Sequence, residues 1–259
     1  MQDGRIKITH LLSILIMLHL LGGGVCCAQT ADADTAFVQR GVKNALAAYK
    51  EKVGMQTHLY NGTEYVSAWK PYLEGNQFFA SEEFTRGAIY YDHAWYQQVP
   101  MLYDVLTDEV VIIHNSSGKK MTLISTKVDT FQLHGHTFVR YSTASSGAAG
   151  LQPGFYDVLY NNSIGFLARR SKNIQERATS SGMEGEYRVG DKLYIRKNDA
   201  YYQVSSKRSV YKVLDDKKKQ LRKYAAAHKL KFRKKREETI LALVKYYSSL
   251  PDKTQRTSQ

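Results

Sequence analysis

Cysteine and proline are both scarce in this chain of 259 residues, which has two of the first and four of the second. No Gly-x-Ser-x-Gly elbow, glycine-rich phosphate loop or dinucleotide fingerprint occurs, so nothing in the sequence marks those catalytic and nucleotide-binding classes. Long apolar runs are missing too. The longest, from Leu11 to Leu21, is shorter than the roughly 20 residues a membrane-spanning helix requires. With 43% hydrophobic and 24% charged residues, the composition excludes collagen-like, disordered and polytopic membrane classes. Acidic residues are sparse in one place only. Residues 29–206 carry 18 basic and 18 acidic side chains, whereas residues 207–259 carry 17 and 5, so nearly all of the formal charge of +13 sits in the last fifth.

Arg5 and Lys7 precede the apolar run, and Gly22 to Gly24 and further small residues follow it, which is the order of a secretory signal peptide over residues 1–28. Cleavage after Ala28, with Cys26 as the second small residue, starts the mature chain at Gln29. The residues before Cys26 and Cys27 fit a lipid-attachment signal poorly. Cleavage removes both cysteines, leaving an exported chain with no disulfide, thiol nucleophile or Cys-ligated metal, stabilised by packing alone. The expected location is periplasmic or outer-membrane-associated, with no transmembrane segment in the mature chain.

Within residues 29–58, Phe37, Val38, Val42, Leu46 and Tyr49 recur at helical spacing from Asp34 to Val53. Residues 59–205 change character, with short aromatic and β-branched runs separated by turn residues. Strands are expected at Gly87–Tyr91, Trp95–Val99, Met101–Leu106, Glu109–His114, Lys120–Ser125, Asp129–Leu133, Thr137–Ser142, Phe155–Tyr160, Ile164–Arg169, Gly185–Val189, Lys192–Lys197 and Ala200–Val204. Turns such as Asp92-His93, Thr107-Asp108, Gly190-Asp191 and Asn198-Asp199 are short enough to demand antiparallel neighbours. The pattern predicts a mainly β fold, an antiparallel meander forming a barrel or a sandwich, flanked by an N-terminal helix and a C-terminal basic helical hairpin. Tyr103-Asp104-Val105-Leu106 is echoed by Tyr156-Asp157-Val158-Leu159, a weak repeat signal. The stretches 143–152 and 173–182 read as loops, the second alternatively as a short helix. Residues 206–250 return to helical period, with one helix expected from Ser209 to His228, a turn around Leu230 and Phe232, and a second helix ending before Pro251; residues 251–259 read as a flexible tail.

The segments Tyr60 to Tyr65, Val99 to Asp104, Phe131 to Phe138, Gly154-Phe155-Tyr156, Leu167-Ala168-Arg169-Arg170 and the helix pair from Lys217 to Arg236 resemble, in that order, an uncharacterised family of exported proteins of Bacteroidota-type bacteria. The resemblance implies an envelope location and brings no catalytic residue. The two helices around a Lys-rich joint resemble tails on other proteins of that group, which implies a separable module.

Candidate chemistry is thin. His134 and His136 have the spacing of two metal ligands on one strand, but two ligands do not make a site, and Gly135 between them reads as a hairpin turn with both His exposed. Neither metal nor cofactor is expected. Glu82, Glu83, Asp104 and Asp157 supply carboxylates for a hydrolase, the alternative function. Support for that alternative requires three of His93, His114, His134, His136, Asp92, Asp104, Asp129 and Asp157 to meet in one concave pocket. The least ordinary feature is basic: between Lys207 and Arg236 there are 14 Lys or Arg and 2 Asp. Solvated helix faces interleave Glu with Lys, and this one does not. Lys217, Lys218, Lys219, Arg222, Lys223, Arg233, Lys234, Lys235 and Arg236 are therefore the candidate anion-binding residues. Export argues against nucleic acid as the partner and leaves lipid headgroups, lipopolysaccharide phosphates, acidic polysaccharides or acidic protein surfaces. The leading expectation is a non-enzymatic envelope protein that binds such an anionic component.

Overall fold

The computed structural model describes residues 35, 37–45, 58–67, 70–142 and 150–251. The expected signal peptide and cleavage site, residues 143–149 of the first loop and the tail from residue 252 lie outside them. The chain divides into two units, residues 1–54 and 55–259. In the first, residues 37–45 form helix α1, on which Phe37, Val38 and Val42 are exposed.

The second unit is mainly antiparallel β. Its first strands are β1 (Thr63–Glu64), β2 (Leu73–Glu74), β3 (Thr85–Tyr91), β4 (Ala94–Asp104), β5 (Glu109–Ile113), β6 (Lys120–Thr122), β7 (Val128–Leu133) and β8 (His136–Tyr141). They continue with β9 (Gly154–Asn161), β10 (Gly165–Arg169), β11 (Lys172–Thr179), β12 (Gly182–Val189), β13 (Lys192–Lys197) and β14 (Ala200–Val204). Eleven of them form one sheet in the order β1-β6-β5-β4-β3-β7-β8-β9-β10-β13-β14. Two meanders therefore run outward from the β3–β7 pair. Three hairpins in this sheet turn on two residues that both have positive φ: Asp92-His93, His134-Gly135 and Asn198-Asp199. Such turns match the right-handed twist of the flanking strands, and Asn, Asp, His and Gly tolerate the left-handed backbone best.

Alternation along the strands fills both faces of the sheet. On one face Tyr103, Phe131, Phe138 and Phe155 meet, with Phe131 and Phe138 stacked at 4.6 Å and Tyr103 edge-on to Phe138 at 4.9 Å. Tyr103 keeps its hydroxyl satisfied by donating to Asp108 at 2.6 Å. The neighbours of these residues point the other way, Leu102 and Val111 into a small cluster with Phe78, and Tyr156 into another with Leu167 and Tyr194.

Several expectations need correction. Pro100 does not divide a strand: β4 runs through it, and the irregular pairing with β3 between Gly87 and Ile89 places a bulge at Gln98, which has φ 57°, two residues before the proline. The stretch 173–182 is neither loop nor helix. It forms β11, the turn and the start of β12, a hairpin whose strands are solvated on both faces and so carry no apolar alternation to read. Gly190-Asp191 does not close a hairpin either. The chain leaves the main sheet at Arg170-Ser171, forms a three-stranded sheet ordered β11-β12-β2, and re-enters at Gly190-Asp191. The two passages are tied by Gly190 N to Ser171 O at 2.8 Å and Ser171 N to Asp191 Oδ1 at 3.0 Å. The repeated Tyr-Asp-Val-Leu is not a structural repeat, since the first copy ends β4 and the second lies inside β9.

The C-terminal helices are α2 (Lys207–Val213), α3 (Lys218–Ala227) and α4 (Arg236–Ser249). Ser206 caps α2 through a reciprocal pair with Ser209. The single helix expected from Ser209 to His228 is broken after Val213 by a 3-10 turn at Asp215–Lys217. Val210, Leu214 and Leu221 keep a helical apolar spacing across the break, which hides it from a periodicity argument. Side chains hold it: Lys197 Nζ donates to Asp216 at 2.7 Å and to the Val213 carbonyl at 2.9 Å. The expected module shares a core with the sheet. Phe166, Ala168, Leu193 and Ile195 of β10 and β13 pack with Val210, Leu214, Leu221, Ile240, Leu243 and Val244, all buried.

Candidate anion-binding groove

Break and connection together build a concave basic surface. On α3, Lys218, Arg222, Ala225 and Ala226 follow at spacings of three and four, so they lie along one face of the helix, and Lys229 stands just beyond its end. On α2, Lys207, Arg208 and Tyr211 face the same space, and the connection from α3 to α4 adds Leu230, Lys231, Phe232, Arg233 and Lys234. The result is a groove of about 1140 Å³ lined by eight Lys or Arg side chains and no carboxylate. Its apolar lining continues the core, since Ala225, Leu230 and Phe232 pack against the buried cluster beneath. Tyr211 is buried to 3% exposure, with Lys207 Nζ 5.9 Å and the Arg222 guanidinium 5.7 Å from its ring centroid. Its hydroxyl is buried without a hydrogen-bond partner, and burial pushes its pKa up against the opposing pull of Arg222.

Of the nine nominated residues, Lys218, Arg222, Arg233 and Lys234 line the groove. Lys219 and Lys223 are exposed on a neighbouring stripe of α3, one residue round from Lys218 and Arg222. Arg236 is exposed at the start of α4, and Lys235 is paired with Glu238 at 2.8 Å. Lys217 is not a surface cation at all. It is 5% exposed, donates to the Leu250 carbonyl at 2.9 Å and lies 4.5 Å from the Tyr247 ring centroid, so it holds α4 against the 3-10 turn. Sequence reasoning counted Lys207, Arg208, Lys229 and Lys231 in the basic stretch without nominating them, because they lie outside its densest runs. The helical spacing of Lys218, Arg222, Ala225 and Ala226 was the signal that would have found the stripe on α3.

A buried arginine sets the position of the connection. Arg170, at the neck of the three-stranded excursion, donates to Asp157 through Nε at 2.9 Å, to Asp191 at 2.8 Å and to Glu237 at 2.6 Å. Burial works against the guanidinium charge, but these carboxylates outweigh it and hold Arg170 protonated. Glu237 stands in the first turn of α4, three residues after Lys234, so one side chain joins β9, the neck and the helix that begins where the groove ends. Asp157 also meets His136, whose Nδ1 is 2.8 Å away, and both imidazoles pack near Phe79. His134-Gly135 is the expected turn, yet both His are partly buried rather than exposed, and His136 is the first residue of β8.

No family model, curated protein or solved structure matches this chain.

The carboxylates and imidazoles required by the hydrolase alternative are distributed among separate tasks. Asp104 accepts from Tyr65 at 2.6 Å and caps its own turn at Leu106, Asp92 binds Lys127 at 3.0 Å, and Asp129 and His93 are exposed elsewhere on the sheet. Among the described residues no three His, Cys, Asp or Glu side chains come together in a way that would hold a metal ion. Nor is any described helix long and apolar enough to cross a membrane.

Proposed function

We propose that this chain is an exported cell-envelope protein, periplasmic or outer-membrane-associated, that acts by binding an anionic surface or partner rather than by catalysis. The β body is the scaffold in this reading, and the helical end is the binding element. One observation carries it: eight cations from three segments converge on a groove that no carboxylate lines. Ordinary helix surfaces scatter both signs, so a concentration of one sign is maintained against self-repulsion and is relieved by an anion. Each basic residue brought close to an anionic membrane contributes on the order of 1 kcal/mol, and the attraction decays over roughly 8 Å at physiological salt. Sedimentation of the mature chain with vesicles containing anionic lipid, and with lipopolysaccharide, tests the reading. Binding that is strong at low salt and abolished at high salt is expected; no salt-sensitive binding to any anionic envelope component contradicts it.

A further inference from the structure

We infer that the occupant of the groove is a phosphate-bearing lipid of an anionic membrane surface, with its phosphate on the cationic walls and part of its apolar body on the floor. This rests on the anion-binding reading and narrows it to a ligand class. Charge alone needs no concavity. Cations for a purely electrostatic contact suffice on any exposed surface, as Lys212, Lys219 and Lys223 are exposed. Here they surround an apolar strip of Ala225, Ala226, Leu230 and Phe232, in a groove whose volume exceeds the roughly 300–1,000 Å³ of small-molecule sites. A ligand of one chemistry throughout would satisfy only half of that lining.

The hydrogen-bonding inventory then selects the head group. Apart from the Tyr211 hydroxyl, every polar side chain of the lining is a Lys or Arg, a donor with no acceptor. A peptide would bring N–H groups that such side chains leave unanswered, whereas a phosphate ester brings acceptor oxygens. Arg208, Arg222 and Arg233 offer the planar fork that grips phosphate with two bonds. Tyr211 adds an aromatic wall between these cations, with the Lys207 ammonium 5.9 Å and the Arg222 guanidinium 5.7 Å from its ring centroid.

The test uses the full mature chain and four probes: monomeric dihexanoyl phosphatidic acid, inorganic phosphate, a polyglutamate peptide, and phosphatidylcholine vesicles with and without phosphatidic acid. Ala226 is exposed on a helix, so Ala226→Trp fills the floor while every charge remains. Wild type is expected to bind the short lipid at least about tenfold more tightly than inorganic phosphate or polyglutamate, and to bind only the vesicles that contain phosphatidic acid. A226W should lose about tenfold toward the short lipid and keep its affinity for polyglutamate within about twofold. Equal affinity for the short lipid and phosphate, tighter binding of polyglutamate, or an unaltered A226W overturns the inference while leaving anion binding intact. Binding of the monomeric lipid without binding of vesicles overturns the membrane source. Failure of all four probes at low salt removes the anion-binding reading itself.

Discussion

Arg170 Nη1 lies 2.6 Å from Glu237 Oε2, and this contact joins the end of the β10 strand to the first turn of the last helix. The same guanidinium is the cation facing Asp157, which is 1% exposed. Replacing Arg170 by Ala leaves that carboxylate buried with only the His136 imidazole beside it, and the loss of one partner of a buried ion pair costs about 3–5 kcal/mol. Glu237→Gln keeps the shape and Asp157 keeps its partner, so its expected cost is only about 1 kcal/mol. Urea unfolding of both variants checks the order. Equal costs would mean that Arg170 acts through the helix and not through Asp157.

Lys217 and Lys219 are neighbours in sequence with opposite duties. Lys217→Gln removes a buried ammonium from the Leu250 carbonyl and the Tyr247 ring, so a stability loss of about 1–3 kcal/mol is expected. Lys219→Gln changes an exposed side chain and is expected to stay within about 0.5 kcal/mol. Thermal denaturation separates the two.

Burial raises the pKa of Asp216, but hydrogen bonds from Lys197 and Tyr247 outweigh it and hold the carboxyl below its ordinary 3.8. A carboxylate whose pKa is lowered by folding adds stability above its unfolded value and loses it as pH falls through the folded one. Its contribution is thus complete at neutral pH, begins to fall near pH 4 and is gone once the pH is below the lowered folded value. With both partners partly solvated, it amounts to less than about 1 kcal/mol. Asp216→Asn should lower stability at pH 7 and flatten the acid limb of the stability curve. A limb of unchanged steepness would show that the pair with Lys197 contributes nothing.

His136→Ala removes the contact with Asp157 and is expected to cost about 1 kcal/mol, whereas His134→Ala, in the turn, should cost less. Metal content should be unaltered in the double variant. A stoichiometric transition metal in wild type that the double variant lacks would contradict the assignment of this pair to a turn and a contact with Asp157.

How much of this was legible in the sequence depends on where each signal resides. Strands β13 and β14 appear at their expected residues because short aromatic and aliphatic runs and a two-residue turn, Asn198-Asp199, agree. Strand β11 was hidden because Lys172 to Thr179 buries neither face. The break at Leu214 was hidden because the apolar spacing runs on through it, and Lys197 and Tyr247, which hold Asp216 in place, are 19 and 31 residues away in sequence. Charge counting located the basic end of the chain, but a count does not say where a side chain points. Lys217 belongs to the densest run and is buried, while Lys207 and Lys229 lie outside it and face the groove. Arg170 carried no local signal, since its partners Asp157, Asp191 and Glu237 lie 13, 21 and 67 residues away.

The most direct test of the central claim compares two variants with the same charge. One replaces Lys207, Arg208, Arg222, Lys229, Arg233 and Lys234 in the groove with Gln; the other replaces Lys212, Lys219, Lys223, Lys235, Arg236 and Lys245 outside it. After circular dichroism has established that both fold, their binding to vesicles containing phosphatidic acid is measured across a salt series. The groove variant is expected to lose most of its affinity and the steepness of its salt dependence, while the outer variant keeps the greater part of both. Equal losses in the two variants would contradict the account, because net charge would then govern binding and the groove would have no part in it.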